Sequence, residues 1–278
     1  MTVQAPIEQV LPGPPPYQEL PADAGLADFV QCMWQANGKA HAPIDGYTII
    51  PDGCVDVVYE LDDRQARCLA FGTTTSPAQF RPRRGATYLG IRFRPGMSRY
   101  FLDIPATELL DHTESLRSFL TLDNEEISRL SNLSSRAARV NLALRAHLAH
   151  SPIGLSQLDD ALRTAHQQLC CLRVEEWASA CGWSTRQLER YILASTGLPP
   201  KRLLRILRVQ AALPLLRHAK HLPPADVALS LGYHDQSHMN RDFALLTGQT
   251  PAHFRTAPTG LLQTSNLATL TLSDFSKT

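Results

Sequence analysis

Near its C-terminal end the chain repeats one pattern, and the equivalent glycines, Gly182 and Gly232, stand fifty residues apart. The first copy runs from Val174 to Ile192 and the second from Pro224 to Phe243. In a helix, residues at i, i+3, i+4 and i+7 share a face, so Val174, Trp177, Ala178 and Cys181 form one apolar stripe, as do Val227, Ala228 and Leu231. Each glycine suits the left-handed conformation that ends a helix and turns the chain sharply. An aromatic follows (Trp183, Tyr233), then a residue able to cap a second helix (Ser184, Asp235). Ala178 and Ala228 recur at the same distance before the glycine, where a small side chain lets the next helix approach closely. A chain so patterned folds as two helix–turn–helix units.

Four residues past each cap stands an apolar residue, Leu188 or Met239, and four further on another, Ile192 or Phe243. At 100° per residue, Arg186 and Arg190 then lie roughly 160° and 200° from Leu188, on the opposite face. Ser237 and Arg241 hold the same angles relative to Met239. Thr185, Gln187, Gln236 and His238 fall in the first turns. Polar, multidentate side chains of these types hydrogen-bond base edges in the major groove or clamp phosphates. One such helix pair occurs in many bundles that never meet DNA. Two copies with matching core, glycine, cap and outward arginine point to DNA.

These residues resemble the DNA-binding domain of the AraC/XylS family of bacterial transcription regulators, over about ninety residues from Cys171 to Arg255. The most specific stretch runs from Gly232 through Tyr233, Gln236, Ser237, His238 and Arg241 to Phe243, followed by Gly248 and Pro251. Between the units, Pro200-Lys201-Arg202 opens a stretch with Arg208, Ala212 and Leu216 that is similar to the family's linker helix. The resemblance implies that both recognition helices enter successive major-groove segments on one side of double-stranded DNA. It assigns base reading to Arg186, Glu189 and Arg190 in the first helix and to Gln236, Ser237, His238 and Arg241 in the second. It also implies RNA polymerase as a partner. Three positions depart from the pattern. Pro214 falls inside the linker helix, where proline removes a hydrogen bond and predicts a kink. Ile192 replaces an aromatic. Glu189 would repel phosphates, so it either accepts from a cytosine amine or pairs with Arg186 or a neighbouring base.

The formal charge of the whole chain is only +1, but it is uneven. Leu172–Ala257 holds eleven Lys/Arg against six Asp/Glu, leaving the remainder acidic. A basic module on an acidic body fits a DNA reader attached to another domain, although a charge fluctuation of this size also occurs by chance. At 278 residues there is room for two cores. With no run of about 18 apolar residues and no charged-then-apolar leader, neither a membrane span nor export is expected, and the location expected is cytoplasmic. The cysteines Cys32, Cys54, Cys68, Cys170, Cys171 and Cys181 show no C-x-x-C pair, so reduced, mostly buried thiols are expected. Nothing nearby supplies a base that would make adjacent Cys170 and Cys171 an oxidant sensor.

Toward the N-terminus, Pro12, Pro14, Pro15 and Pro16 predict an extended start. From Phe29 to Phe101 the pattern is short and strand-like: Tyr47–Ile50, a turn at Asp52-Gly53, Cys54–Leu61 with Val55, Val57 and Tyr59 on one face, and Tyr88–Arg94 with Leu89, Ile91 and Phe93 on one face. This predicts a small β-barrel or sandwich. Gln31–Trp34, Pro51–Tyr59 (containing Pro-Asp-Gly-Cys-Val-Asp) and Gly90–Gly96 are similar to the N-terminal domain of one subgroup of these regulators, which implies a signal-sensing, cupin-like domain by analogy. Asp56 and Arg92 alternate into otherwise apolar strands. They either fix the polar end of a small-molecule effector or form a structural ion pair at a sheet edge. A metal-dependent cupin enzyme needs a His-x-His pair and further ligands. Only His41 and His112 are present in this half, so no metal or cofactor is expected.

Helical composition begins at Asp123. Over Ser135–Ala149, Val140, Leu144 and Leu148 make an apolar stripe beside Arg136, Arg139 and Arg145, fit either to pack on its own β-domain or to join a homodimer. A second helix is predicted over Leu155–Leu169. The expected fold is thus α+β and multidomain: a β-rich sensor or regulatory domain over residues 1–122, a helical connector over 123–170, an all-α DNA-binding domain over 171–257 whose two helix–turn–helix motifs are joined by a linker helix, and a disordered Ser/Thr-rich tail over 258–278. The expected function is sequence-specific transcription regulation without enzymatic activity. A DNA-repair methyl acceptor would need a zinc-held cysteine cluster near the N-terminus, which the sequence lacks. A ligand-independent architectural DNA binder would show no ligand response.

Overall fold

The computed structural model describes residues 17–37, 47–62, 65–120, 122–150, 156–167, 172–256 and 262–263. The expectations for the proline-rich start, for Cys170 and Cys171, and for most of the tail lie outside these residues.

Alternating apolar residues build the strands β1 (Tyr17–Pro21), β2 (Val30–Asn37), β3 (Tyr47–Ile49), β4 (Val55–Leu61), β5 (Ala66–Phe71), β6 (Ala78–Phe80), β7 (Thr87–Phe93) and β8 (Thr113–Leu116), with a short helix α1 (Ala106–Leu109) before β8. Six of them form an antiparallel sheet in the order β1-β2-β7-β4-β5-β8, and β6 and β3 belong to a second, three-stranded sheet. Among the described residues no pairing joins β1 to β8, so the larger sheet stays open. Of the two forms expected, barrel or sandwich, it is the two-sheet form that is present.

One face of the large sheet carries Val57, Tyr59, Leu89, Ile91 and Phe93, all fully buried in the main core. Against it pack Phe101, α2 (Asn124–Arg129) and α3 (Leu133–His150). Val140 and Leu144 of α3 are fully buried there and Leu148 partly, so the stripe is core and not a dimer face. Its arginines are likewise used within the chain: Arg136 donates to Gln35, Arg139 pairs with Glu126 and Arg145 with Asp23.

Then follow α4 (Gln157–Gln167), α5 (Val174–Ala180), α6 (Thr185–Thr196), α7 (Pro200–His218), α8 (Pro224–Ser230), α9 (Gln236–Thr247), α10 (Pro251–Thr256) and a two-residue strand β9 (Leu262–Gln263). The predicted linker helix α7 runs unbroken through Pro214. The loss of one backbone hydrogen bond there is outweighed by burial of Leu203, Ile206, Val209, Leu213 and Leu216 along the same helix, each worth about 1.5–3 kcal/mol. Of the tail expected to be disordered, the described residues 262–263 are ordered: β9 pairs in parallel with β3, Thr48 opposite Leu262 and Ile49 opposite Gln263. A strand edge presents unmet N–H and C=O groups, and a passing extended segment satisfies them.

Candidate nucleic-acid interface

Each helix–turn–helix unit is built by local rules. In the first, Trp177 and Ala178 are buried while Val174 and Cys181 are only half-buried, so the stripe is narrower than its periodicity suggests. The Trp177 indole N–H donates to the Ala161 carbonyl at 3.0 Å, which fixes α5 on α4. Gly182 and Gly232 adopt φ of 68° and 72°, the left-handed turn that places Trp183 and Tyr233 over the helix end, where both donate N–H to the carbonyl of Ala178 or Ala228. Ser184 caps α6 by accepting from the Gln187 N–H at 3.3 Å, and Asp235 caps α9 by accepting from the His238 N–H at 2.7 Å. Leu188, Ile192, Met239 and Phe243 are fully buried.

The opposite faces of α6 and α9 are open. Arg186, Glu189, Arg190, Gln236, Ser237 and Arg241 are exposed, and Thr185 is half-buried. Two positions have local duties as well. Gln187 closes a capping box, its amide oxygen accepting from the Ser184 N–H at 2.9 Å. The half-buried His238 ring stands edge-on to Tyr233, centroids 5.1 Å apart. The Arg190 guanidinium lies over the Tyr191 ring, 4.9 Å from its centroid. Glu189 makes no ion pair with Arg186 among the described residues, which leaves its carboxylate outward.

Much of the basic charge of this region is used internally. Arg205 donates to the buried Asp242 at 2.6 Å and 2.9 Å, tying α7 to α9. Arg208 donates to the Leu172 carbonyl and Arg255 to those of Leu222 and Lys220. Asp242 was not foreseen as a core residue; it sits three residues past Met239, on the inward side of α9.

The N-terminal region grips the other side of this assembly. Gln210, only 1% exposed within α7, donates to the Pro51 carbonyl at 2.8 Å. Gly53, with φ of 80°, brings the backbone against Leu203, whose methyl would sit 2.9 Å from any Cβ there. Arg202, at the start of α7, donates to the Thr75 carbonyl at 2.9 Å. Gly197, which ends α6, fits under the Ala106 carbonyl of α1 so closely that a Cβ would lie 2.6 Å from it.

On its far side, the Pro51–Cys54 loop faces a cavity of about 240 Å³ between the two sheets, lined by Trp34, Val58, Phe71, Phe80 and a polar group. Asp56 and Arg92, singled out from the sequence, are directly opposite on β4 and β7 and form part of that group. The Arg92 Nε lies 3.3 Å from the Asp56 carboxylate and 3.4 Å from that of Asp52. They are paired, but in the sheet interior and not at its edge. Burial pushes the Asp52 pKa up, with Arg92 opposing and Asp56 reinforcing the rise. Burial would lower that of Arg92, yet Asp56 and Asp52 hold it well above the ordinary value. Trp34, which donates to Asp56 at 2.7 Å, lies flat across Gly90, where any side chain would collide with the indole. A lone glycine inside a strand was the available signal for that close approach.

Burial also pushes the Cys32 and Cys68 thiols up to about 12 and that of Cys54 well above its usual value, so they are held as neutral thiols. Among the described residues no cluster of His, Cys, Asp and Glu is arranged to hold a metal, and no helix is long and apolar enough to cross a membrane.

Residues 177–257 match a family described as a helix-turn-helix domain, and residues 18–115 match a domain of unknown function (DUF6597). No curated protein matches the chain. Among solved structures it is similar to the C-terminal domain of AraT, a response regulator from Geobacillus stearothermophilus, at 24% identity over 38% of this chain and 87% of that one, TM-score 0.35. A transcriptional regulator with an AraC-type DNA-binding domain from Chromobacterium violaceum gives 24% identity over 36% and 88%, TM-score 0.33. ToxT from Vibrio cholerae gives 9% over 88% and 98%, TM-score 0.41. At such scores no ligand or activity transfers from them.

Proposed function

We propose that the chain is a DNA-binding transcription regulator whose residues 177–257, which match a helix-turn-helix domain family, act as an AraC-type reader of two successive major-groove segments, and that it adjusts that reading to a small molecule held by its N-terminal region. Base edges fall to Arg186, Glu189 and Arg190 of α6 and to Gln236, Ser237, His238 and Arg241 of α9. Thr185 and Gln187 approach the backbone at the start of α6. The observation that carries this reading is that both recognition faces stay open while their opposite faces are pinned, through α7, to one another and to the N-terminal region. A cytoplasmic protein acting on RNA polymerase at promoters fits this reading, and Cys32, Cys54 and Cys68, buried and neutral, are not the thiolate with which a methyl acceptor attacks.

Selection from a random duplex library by the full chain, followed by footprinting, tests the proposal. The expected site spans about two helical turns with protection on one face of the duplex. Affinity should fall steeply with salt as phosphate contacts release counterions. Equal protection of unrelated sequences would remove the claim of specificity.

A further inference from the structure

The cavity between the sheets has an unbalanced polar end. One guanidinium, Arg92, faces two carboxylates, Asp52 and Asp56, through the same Nε atom. Its Nη1 is buried and has no partner among the described residues, although the side chain is only 2% exposed. The group therefore has an excess carboxylate and an unmet buried donor side by side. Away from this group Ile49, Val58, Phe71 and Phe80 give an apolar wall, while the lining's further polar side chains include the exposed His112 and the exposed Asp111, whose carboxylate accepts from Thr75.

We propose that this cavity binds an apolar α-amino acid, its carboxylate taken by Arg92, its ammonium by Asp52 with Asp56, and its side chain by the apolar wall. A ligand with a carboxylate alone would add a second excess negative charge to a site already carrying one. A ligand with an amine alone would balance the charge and leave the Arg92 donor unmet. A zwitterion answers both and leaves net charge unchanged. Charge-assisted contacts of both signs in a desolvated site favour this ligand over either half of it. The inference rests on the reading of the N-terminal region as a small-molecule sensor and gives its ligand a class.

Calorimetry and thermal melting of the full chain with L-leucine, L-phenylalanine, 2-phenylethylamine and 3-phenylpropionate test it. Saturable binding of the amino acids, at least tenfold tighter than either singly charged analogue, is expected. Asp52→Asn should weaken them at least tenfold. Ala78→Trp, which puts an indole into the cavity from β6 and leaves Asp52, Asp56 and Arg92 unsubstituted, should abolish binding with the melting transition retained. Equal binding of an analogue, undiminished binding to Ala78→Trp, or no binding by any of the four compounds overturns the proposal. Operator affinity of the same samples separates the two readings. Amino-acid binding that leaves DNA affinity unchanged sinks the sensor and keeps the site, whereas DNA control without such binding keeps the regulator and sinks the ligand.

Discussion

At the scale of single residues, outward and inward positions on α6 and α9 differ in what they control. Arg241 and Arg190 project from faces whose opposite sides, at Met239 and Leu188, are fully buried. Replacing either arginine by alanine should cost about 1–3 kcal/mol of operator binding and relax preference at one base pair if it reads a guanine. A uniform loss across sequences, with the salt slope reduced by about one, would assign it to phosphate instead. Melting temperature should hardly move for either variant; a clear fall would show that the helix faces are misassigned. Asp242, the neighbour of Arg241, is the reverse case. It is buried against Arg205 and serves the packing of α9 on α7.

Among the elements, α7 has the most consequence. It carries an apolar row for both helix–turn–helix units, and its polar exceptions Arg202, Arg205 and Gln210 each reach a different part of the chain. Gln210→Leu would leave the buried Pro51 carbonyl unpaired, a loss of about 1–3 kcal/mol. Hydrogen exchange at the Gly53 and Cys54 amides should quicken with it. Unchanged exchange would show that the loop is held by Leu203 packing and not by this bond. Because Asp52 belongs to that loop, any shift of the polar group in the cavity is felt one residue from where α7 is gripped.

For the whole molecule, the docking of one half on the other depends on ionised groups in α4 as well as on apolar surface. Asp159 is fully buried and accepts from Tyr100 Oη and the Ser156 N–H, both at 2.5 Å, while pairing with Arg99. Burial would raise its pKa, but these donors hold it below the ordinary carboxylate value. A depressed folded pKa means the stabilisation is present above the unfolded value, near about 3.9, and is lost as pH falls through the folded value. Asp159→Asn should therefore be less stable than the parent at pH 7 by about 1–3 kcal/mol, with the gap closing below about pH 4. A gap that does not narrow at all as pH falls from 7 to the acid limit of folding would show that shape, and not charge, holds α4 in place.

The tandem units, their caps, their left-handed glycines and the outward arginines were legible in the sequence because each depends on residues within one or two helical turns. The strands β4 and β7 were legible for the same reason, through strict alternation. What tertiary structure alone decided involves groups far apart in the chain. Sequence spacing left open whether Val140 and Leu144 pack on their own domain; burial against the sheet answered it. It raised Asp56 with Arg92 but could not add Asp52 or Trp34, which join them only when the Pro51–Cys54 loop and β2 close on β7. Nor could it show Gln210 under Pro51, 159 positions away. Local conformation is set by neighbours along the chain, whereas a buried polar group is placed by whichever distant partner satisfies it.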